Sequence, residues 1–339
     1  MRPAFDIVAP ISILAGMKIF VCGGAGYIGS ICVEELLNAG HEVTVFDNLS
    51  KGHRDAVDAR AAFVNGDLAD VEQTRQALRA AGSEAVMHFA AHSLVPESMV
   101  HPSKYFRNNV ANGINLLDAM VDCGVKRIVF SSTCALFGTP DRVPMTEELP
   151  VRPLSPYGQS KAMFEQMLRW YEQIHGIQYV NLRYFNAAGA SQQFGEDHRP
   201  ETHLIPNVLA VALGKREQVE IYGTDYLTPD GTCVRDYIHI VDLAAAHILA
   251  LQSRQSVSYN LGSGDGYTVK QVVEACRRVT GLPIPAVERP RRPGDPAKLV
   301  ASSKKIASEL AWKPKFPKLT DIVASAWAWH RAHPDGYAD

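Results

Sequence analysis

Tyr157 and Lys161, near the middle of the chain, have the types and the spacing for acid–base chemistry. They are four residues apart in a stretch that reads as the start of a helix, so both side chains share one helix face. An ammonium group beside a phenol favours the phenolate and lowers a pKa that is ordinarily about 10. The phenol could then act as a general base near neutral pH. Because this spacing is common by chance, the pair needs support from its surroundings.

Three consecutive hydroxyl residues, 131–133, supply part of that support. They end a predicted strand and could hydrogen-bond a reacting oxygen. Cys134 follows them directly, and we interpret it as a packing residue because no histidine partner is evident.

The glycine-rich stretch 23–29 is the second feature with chemical meaning. A short apolar strand from Met17 to Cys22 precedes it, and a helix from Ser30 to Ala39 follows it. The amino terminus of such a helix offers free N–H groups and a positive dipole end to a pyrophosphate. Asp47 ends the next strand 18 residues beyond Gly29, where a carboxylate that binds ribose belongs. The alternative is a tight turn without a ligand, but the carboxylate favours a dinucleotide site.

Composition excludes several classes of protein. The formal charge of −2 in 339 residues gives no basic footprint for nucleic acid, and no apolar run reaches the ~20 residues of a membrane span. Six scattered cysteines without a CxxC pair favour reduced thiols and a cytoplasmic location. Residues 1–16 make a poor signal peptide and are expected to be a dispensable leader.

Strands and helices alternate along the first half of the chain. Predicted strands at 42–46, 61–65, 85–89, 126–130 and 178–185 are separated by predicted helices at 71–81, about 102–123 and 155–175. This order predicts an α/β fold with a doubly wound, Rossmann-type parallel sheet. Beyond Asn186, loops rich in glycine, proline and aspartate predict a smaller substrate-binding lobe. A strand at 258–261 is expected to return to the main sheet, so that the lobe is interleaved with it.

The motifs in order resemble the extended short-chain dehydrogenase/reductase family, and within it the UDP-glucose 4-epimerases. The resemblance runs from Met17 to about Asp339, and its order and spacing are specific. The matching stretches are Gly-Gly-Ala-Gly-Tyr-Ile-Gly-Ser (23–30), Asp-Asn-Leu-Ser (47–50), Gly-Asp-Leu (66–68), His-Phe-Ala-Ala (88–91), Ser-Ser-Thr (131–133), Ser-Pro-Tyr-Gly-Gln-Ser-Lys (155–161), Leu-Arg-Tyr-Phe-Asn (182–186), Gly-Thr-Cys-Val-Arg-Asp-Tyr-Ile-His (231–239), Tyr-Asn-Leu-Gly (259–262) and Arg-Arg-Pro-Gly-Asp (291–295).

The resemblance implies an isomerase of galactose and carbohydrate metabolism that uses tightly bound NAD. It would epimerise UDP-glucose and UDP-galactose reversibly at C4 through a transient 4-keto intermediate, with Tyr157, Lys161 and Thr133 as catalytic residues. The implied NAD contacts are Gly23, Gly26, Tyr27, Ile28, Gly29, Asp47, Asn48, Leu49, Ser50, Lys51, Gly52, Asp67, Leu68, Phe89, Ala90, Ala91, Ser93, Asn108, Thr133, Tyr157, Lys161 and Phe185. Asp47 should repel a 2′-phosphate and so select NAD over NADP.

The resemblance also implies a set of contacts to the UDP-sugar. Arginines suit the diphosphate because a guanidinium makes bidentate, charge-assisted hydrogen bonds. By counting from Asp295, Leu299 borders the sugar pocket and should prefer glucose and galactose over their N-acetyl derivatives. The implied substrate residues are Thr133, Tyr157, Asn186, His203, Leu204, Tyr222, Arg235, Arg292, Asp295 and Leu299.

Three positions depart from the best-known family pattern. Ser93 stands in place of a lysine, Thr133 in place of a serine, and His203 in place of an asparagine. Metal ligation by His198 and His203 is the competing interpretation of this last region. We expect no metal, because no further ligand accompanies them in the sequence.

Other activities remain as alternatives. A 4-epimerase of another UDP-sugar (N-acetylhexosamine, pentose or uronic acid) stays open. A nucleotide-sugar 4,6-dehydratase is disfavoured, because Cys134 and Ala135 stand where that chemistry needs an acid pair. By the resemblance the chain would be a homodimer through the helices 102–123 and 155–175. The expected NAD-binding domain is 17–185 with about 236–262, and the expected UDP-sugar lobe is 186–235 with 263–339.

Overall fold

The computed structural model describes residues 16–292 and 294–338. The leader expected at 1–16 lies outside the described residues, apart from Gly16. Within the described ranges, no helix has both the length and the apolar character that a bilayer span requires.

Seven strands of the described chain form one parallel sheet in the order β3-β2-β1-β4-β5-β6-β11. This is the classic doubly wound order with one strand added at the edge. The strands of the described chain are β1 Lys18–Cys22, β2 Glu42–Asp47, β3 Ala62–Asn65, β4 Ala85–His88, β5 Arg127–Thr133, β6 Gln178–Tyr184, β7 Asn186–Ala188, β8 Val219–Tyr222, β9 Val234–Arg235, β10 Tyr237–His239, β11 Val257–Leu261, β12 Tyr267–Thr268, β13 Ala286–Arg289 and β14 Lys298–Leu299.

Helices cover both faces of this sheet. They are α1 Tyr27–Asn38, α2 Val71–Ala81, α3 Val95–Val100, α4 Pro102–Tyr105, α5 Asn112–Cys123, α6 Pro156–His175, α7 Leu204–Ala212, α8 Ile240–Ala250, α9 Val269–Thr280, α10 Lys304–Leu310 and α11 Leu319–Ala332. A π-helical segment, Phe106–Ala111, joins α4 to α5, and 3₁₀ turns span Arg54–Ala56 and Cys134–Phe137.

The alternation of side chains along β1 builds the two layers of the core. Ile19 and Val21 face α1 and α8 in one apolar cluster, whereas Phe20 and Cys22 face α5 and α6 in another. Successive side chains of a strand point to opposite faces, so an all-apolar strand must be covered on both sides. The predicted doubly wound α/β fold is confirmed.

The second half of the chain adds short strands and a third apolar cluster. Helices α7, α9 and α11 pack together around that cluster. Strands pair as β10–β7, β12–β9–β14 and β13–β8. Strand β11 pairs in parallel with β6, so the expected return to the main sheet is confirmed.

The helix expected at 102–123 is helical throughout but not uniformly α-helical. Its middle turn, Phe106–Ala111, is π-helical. Asn108 of this turn lines the groove described below, and Asn109 faces inward, where its side chain pairs with the backbone of His92. The first helix begins at Tyr27, three residues before the predicted Ser30, because the glycine turn runs directly into it.

Candidate active site

The glycine stretch after β1 forms a closely packed turn at the carboxyl edge of the sheet. Gly23 has φ of 79°, which favours glycine, and a side chain there would collide with the backbone of Ala90 after β4. A side chain at Gly29 would collide with the carbonyl of Gly23. Gly26 caps α1, and no described side chain hydrogen-bonds the cap. The first N–H groups of α1 therefore remain available to an anion.

Asp47 holds this turn from the end of β2. Its Oδ2 accepts a hydrogen bond from the backbone N–H of Ala25 at 3.0 Å, and its Oδ1 accepts one from Leu49 at 2.8 Å. Burial raises the pKa of Asp47, and these two hydrogen bonds oppose that shift. Each carboxylate oxygen has a second lone pair, so a ribose hydroxyl can still bind.

A groove with a volume of about 110 Å³ runs along this edge of the sheet. Twelve of the residues expected to bind NAD line it: Gly23, Asp47, Asn48, Ser50, Lys51, Gly52, Asp67, Leu68, Phe89, Ala90, Ala91 and Asn108. Asn48 and Asp67 are joined by a hydrogen bond of 2.9 Å.

Four residues of the groove were missed in the sequence: Phe46, Gly66, His92 and Asn112. A side chain at Gly66 would meet the ring of Phe46, so these two are packed as a unit. Both flank an acidic residue that the sequence did single out, and that adjacency was the available signal.

The remaining expected NAD residues do not line this groove. Gly26, Ile28 and Gly29 lie in the turn and the first helical turn behind it, and Leu49 has φ of 57° in the loop after β2. Tyr27 is buried, and its hydroxyl donates to the carbonyl of Gly189 at 2.7 Å. Ser93 is exposed in the loop before α3, and Phe185 packs with the 3₁₀ turn that follows Thr133.

Thr133, Tyr157 and Lys161 are brought together farther along the same sheet edge. Thr133 ends β5, and Ser155 caps α6 through a hydrogen bond from Gly158 N at 3.1 Å, so that Tyr157 lies in the first turn. The Thr133 hydroxyl accepts a hydrogen bond from the backbone N–H of Ala135 at 3.1 Å and lies near enough to the Tyr157 phenol to lower its pKa. The Lys161 ammonium is buried, donates to the Ser131 carbonyl at 2.8 Å and lies 4.7 Å from the centre of the Phe130 ring.

The expectation that Lys161 lowers the pKa of Tyr157 is wrong for the protein without cofactor or substrate. Burial raises the pKa of Tyr157 to about 12, and the hydrogen bond from Thr133 opposes that rise only in part. Burial lowers the pKa of Lys161 to about 7, opposed by Glu165. The helical spacing was correct, but the Lys161 ammonium is directed to a backbone carbonyl, and desolvation of the phenolate dominates.

A buried ion pair supports the catalytic helix from beneath. Glu165, one turn after Lys161, accepts hydrogen bonds from Arg183 at 2.9 and 2.5 Å and from the Ser132 hydroxyl at 2.6 Å. Both charged side chains are almost fully buried. This network joins α6 to β5 and β6, and no local pattern predicts it because its members are far apart in the chain.

On the lobe side, four expected substrate residues form a group that we call the arginine cluster: Tyr222, Arg235, Arg292 and Asp295. Arg235 on β9 forms an ion pair with Asp295, and the guanidinium of Arg292 lies 4.0 Å from the centre of the Tyr222 ring. The backbone N–H of Asp295 donates to the carbonyl of Arg292 at 3.3 Å. The four side chains are therefore held as two pairs, and Tyr222 and Arg235 are also bonded to Glu220 and to the Val234 carbonyl.

Asn186 and Leu299 lie between the arginine cluster and the catalytic residues. The side chain of Asn186 donates to the carbonyl of Asp236 at 2.8 Å, next to Arg235. Leu299 pairs with Arg235 across β14 and β9 and packs on an apolar cluster that includes Phe137 and Phe185. This position beside the turn after Thr133 agrees with the expected border of a sugar pocket.

His203 and Leu204 open helix α7, and a small cluster surrounds the histidine. The Nδ1 atom of His203 lies 2.8 Å from Oε1 of Glu196, and Nε2 of His198 lies 3.4 Å from the same oxygen. The expectation that no further ligand accompanies the two histidines is therefore wrong, since Glu196 is close to both in space. Leu204 packs against the third apolar cluster.

The residues of the groove fit a dinucleotide. The turn carries Gly23 where a side chain would collide with the backbone of Ala90. The start of α1 leaves N–H donors for a pyrophosphate, and Asp47 ends β2, where a carboxylate binds ribose in this fold. The groove leads toward Tyr157 and Lys161 along the carboxyl ends of the strands, where ligands of open α/β sheets bind.

Comparison with known proteins gives a consistent result. Residues 19–262 match the NAD dependent epimerase/dehydratase family. The chain is 53% identical over 331 residues to a UDP-glucose 4-epimerase of Streptococcus mutans serotype c, covering 95% of this chain and 99% of the relative. A crystal structure of a UDP-glucose 4-epimerase is similar with a TM-score of 0.93 at 50% identity, covering 95% of this chain and 99% of that one. The UDP-glucose 4-epimerase from Bifidobacterium longum in complex with NAD⁺ and UDP is similar with a TM-score of 0.90 at 38% identity, covering 94% and 99%.

Proposed function

The chain belongs to the NAD dependent epimerase/dehydratase family, and from this premise we propose that it interconverts UDP-glucose and UDP-galactose. The reaction is a reversible inversion at C4 of the hexose through a transient 4-keto sugar, with NAD as resident cofactor.

The observation that carries this proposal is the position of Tyr157 with Thr133 and Lys161. The three lie at the carboxyl edge of the sheet that also carries the dinucleotide groove, and Leu299 links the turn after Thr133 to Arg235, which belongs to a cluster that suits a diphosphate. Relatives that are UDP-glucose 4-epimerases by name share about half of the sequence over nearly its whole length.

In the proposed mechanism the residues of this chain move one proton. The Tyr157 oxygen takes the proton of the 4-hydroxyl and later returns it to the same sugar oxygen, while Thr133 hydrogen-bonds that oxygen. The Lys161 ammonium, one helical turn from Tyr157 and held on the Ser131 carbonyl, would favour the phenolate once the site is filled, since in the chain by itself burial keeps the phenol protonated. When bound, NAD supplies both the acceptor and the donor of the hydrogen on C4, so the net redox change is zero. The residues to hold it are those of the glycine turn and the groove.

The arginine cluster anchors the nucleotide while the sugar reorients. Arg235 and Arg292 bind the diphosphate, and Asp295 fixes the orientation of the Arg235 guanidinium. Anchoring at the diphosphate leaves the sugar ring free to present either face of C4 and keeps the intermediate in the site.

Leu299 limits the range of sugars. It lies beside the turn that follows Thr133, and its branched end cannot hydrogen-bond an acetamide. UDP-glucose and UDP-galactose are the preferred pair, with weak activity on N-acetyl sugars.

The selection of NAD over NADP rests on Asp47. Its carboxylate stands at the end of β2, where the 2′-hydroxyl of the adenosine ribose binds in this fold, and it repels a phosphate at that position. Equal or tighter binding of NADPH than of NADH to the intact chain, measured by fluorescence titration, would contradict this.

The proposed assembly is a homodimer through α5 and α6. Trp170 and Ile174 on α6 are 61% and 66% exposed, and Ile114 on α5 is 38% exposed. Burial of such apolar side chains against a second copy stabilises a two-fold interface. Light scattering should give the dimer mass for the wild type and the monomer mass for Trp170→Glu combined with Ile174→Glu. Leu227→Glu, which changes an exposed leucine in the loop after β8, is the control.

Two further parts of the proposal concern domains and location. The division into an NAD-binding domain and a UDP-sugar lobe is supported by the separate apolar clusters, except that α10 and Trp312 pack with the main sheet and belong to the NAD-binding domain.

The six free thiols support a cytoplasmic location.

The direct experiment incubates the purified chain with UDP-galactose and follows UDP-glucose by chromatography without added NAD. We expect conversion to the equilibrium mixture. Failure of conversion with NAD also added would overturn the proposal, and a 4-keto-6-deoxy product would indicate the dehydratase instead.

A further inference from the structure

Glu196, His198 and His203 bring three side chains of metal-ligand type to one point outside the catalytic group. Their nearest ligand atoms all lie within 4.8 Å of one another. Glu196 is 5% exposed, whereas the two histidines are partly accessible from solvent. The three sit on one short segment that ends at the first turn of α7.

The contacts around Glu196 bring one buried carboxylate oxygen close to two imidazole nitrogens. Its Oε1 is buried and receives no directed hydrogen bond from any described residue, although His203 Nδ1 is only 2.8 Å away. In the chain without a metal ion that nitrogen also donates to Glu201 Oε1 at 3.0 Å, and the same Oε1 accepts from the backbone N–H groups of Thr202 and His203. A metal ion would replace the Nδ1 proton, which is released to solvent, and Glu201 would keep its two backbone donors. The buried oxygen of Glu196 thus faces two imidazole nitrogens at 2.8 and 3.4 Å, and a metal ion could take the place of the protons between them.

The distances suit a small divalent cation. Nitrogen and oxygen ligands at 2.0–2.1 Å from a tetrahedral zinc ion lie about 3.3 Å from each other. The distances from Glu196 Oε1 to His203 Nδ1 and to His198 Nε2 are 2.8 and 3.4 Å, which bracket this value. Two imidazoles and one carboxylate with an open position are a donor set that zinc and its neighbours in the first transition row accept.

We propose that Glu196 Oε1, His198 Nε2 and His203 Nδ1 form a binding site for a divalent transition-metal ion, with Zn²⁺ as the representative. The site shares His203 with the residues implied for the UDP-sugar, but none of its three side chains contacts Thr133, Tyr157 or Lys161 in the described contacts, and Glu196 and His198 belong to neither implied set.

A metal ion here would fix the segment that carries part of the lobe. The ring of His198 lies edge-on to Tyr27 at 6.0 Å between centres, and Tyr27 opens α1 after the glycine turn. Leu204 follows His203 directly and packs into the core of the lobe. The ion would therefore join the start of α7 to the start of α1, on opposite sides of the boundary between sheet and lobe.

Cobalt titration of the purified full-length chain tests the site by a signal independent of catalysis. Co²⁺ should bind in one equivalent with visible d–d absorption typical of four or five nitrogen and oxygen ligands. Absence of a thiolate charge-transfer band excludes the free cysteines as ligands. Zn²⁺ should displace the cobalt and raise the melting temperature of the wild type.

His198→Gln is the decisive variant, because this side chain is partly exposed and is not part of the proposed catalytic or substrate-binding set. Its Co²⁺ affinity should fall by at least about tenfold, its zinc-dependent rise in melting temperature should disappear, and its melting temperature without metal should not change. His101→Gln, at an exposed histidine before α4, should bind as the wild type does.

Three results would overturn the proposal: no stoichiometric binding by the wild type, equal affinity in His198→Gln, or a thiolate band in the cobalt spectrum. If His198→Gln fails to fold, the same titration of Glu196→Gln decides, since an amide oxygen of the same shape is a weaker ligand.

Discussion

The dinucleotide groove and the arginine cluster are built on different principles, although both are proposed to hold phosphates. The groove is formed by main chain: glycines that close on neighbouring backbone, the free end of α1, and one carboxylate that accepts two backbone hydrogen bonds. The arginine cluster is formed by side chains on short strands and loops that pair with one another.

The difference shows where each site obtains its rigidity. Backbone donors at a helix end are positioned by the fold itself and lose no side-chain entropy when a ligand binds. Arginines must be held by partners, and each partner must be displaced or shared when the diphosphate arrives. A substitution in the groove should therefore act through packing, and one in the cluster through charge and geometry.

Tyr157→Phe tests the junction between the two regions and should have the largest effect. Removal of the phenolic oxygen removes the base, so turnover should fall by at least ~10²-fold while bound NAD and UDP affinity stay unchanged. Initial rates with UDP-galactose and the NAD content of the purified protein measure this. Tyr171→Phe, on the same helix but bonded to Asp118, is the control and should keep its activity. A Tyr157→Phe enzyme with near-normal turnover would refute the assignment.

A pair of alanine substitutions sharpens the claim that the groove acts through packing. At Gly29 a Cβ collides with the Gly23 carbonyl, so Gly29→Ala should lower the free energy of unfolding by about 1–3 kcal/mol and abolish NAD retention. At Gly26 a Cβ would lie 3.6 Å from the same oxygen, which is ordinary contact. Gly26→Ala should therefore keep the stability and lose NAD affinity only, because that glycine allows close approach to a pyrophosphate. Equal stability of the two variants in urea denaturation would contradict this difference.

Arg235→Lys tests whether the cluster acts through bidentate geometry rather than charge alone. Lysine keeps the charge but cannot bind Asp295 and a phosphate with a planar fork, so KM for UDP-galactose should rise about tenfold with NAD content unchanged. Arg289→Lys is the matched control, because Arg289 on β13 forms an exposed ion pair with Glu220 on β8. An unchanged KM for Arg235→Lys would show that charge alone is sufficient.

Leu299→Ser probes the border between the two regions. A smaller, polar side chain leaves room for an acetamide, so the ratio of rates for UDP-N-acetylglucosamine and UDP-glucose should rise by roughly tenfold, within the range of one pocket contact. The measurement compares kcat/KM for both sugars. A wild type that already turns over both equally well would show that Leu299 does not limit the sugar range.

His247 gives the smallest expected effect, in the packing under the groove. Burial lowers its pKa to about 4, and its ring packs 4.9 Å from Phe89 of the groove. Between pH 6.5 and 4 the unfolded chain binds a proton on His247 that the folded chain does not bind. The contribution of this residue to the free energy of unfolding is therefore fully present above pH 6.5 and is lost as the pH falls. At pH 5.5 the loss is about 1 kcal/mol. His247→Asn keeps a donor for the Leu243 carbonyl and should lose that part of the pH dependence in urea denaturation, whereas exposed His175→Asn should not.

The groove was largely predictable from the sequence because its determinants are local. The turn at 23–29, the acid at Asp47 and the strand ends all follow from short-range patterns. The same holds for α2, because its predicted range of 71–81 agrees with the observed helix Val71–Ala81. Asp70 caps its amino end, and Gly82 ends it in the left-handed region.

The features that could not be predicted from the sequence depend on contacts between residues far apart in the chain. The Glu165–Arg183–Ser132 network and the approach of Glu196 to two histidines arise only in three dimensions. The ionisation of Tyr157 was misjudged for the same reason, because spacing on a helix does not report how deeply a phenol is buried.

The late return of β11 to the main sheet has a consequence for biosynthesis. Its partner β6 ends at Tyr184, and about 70 residues, most of them in the lobe, must be made before Val257 leaves the ribosome. At ≈5–20 residues per second, the outer edge of β6 waits unpaired for about 4–15 s. An unprotected edge is a template for pairing with another nascent chain. The interleaved lobe therefore gives this chain a period during translation in which the edge of β6 is exposed, which a sheet built from consecutive strands would avoid.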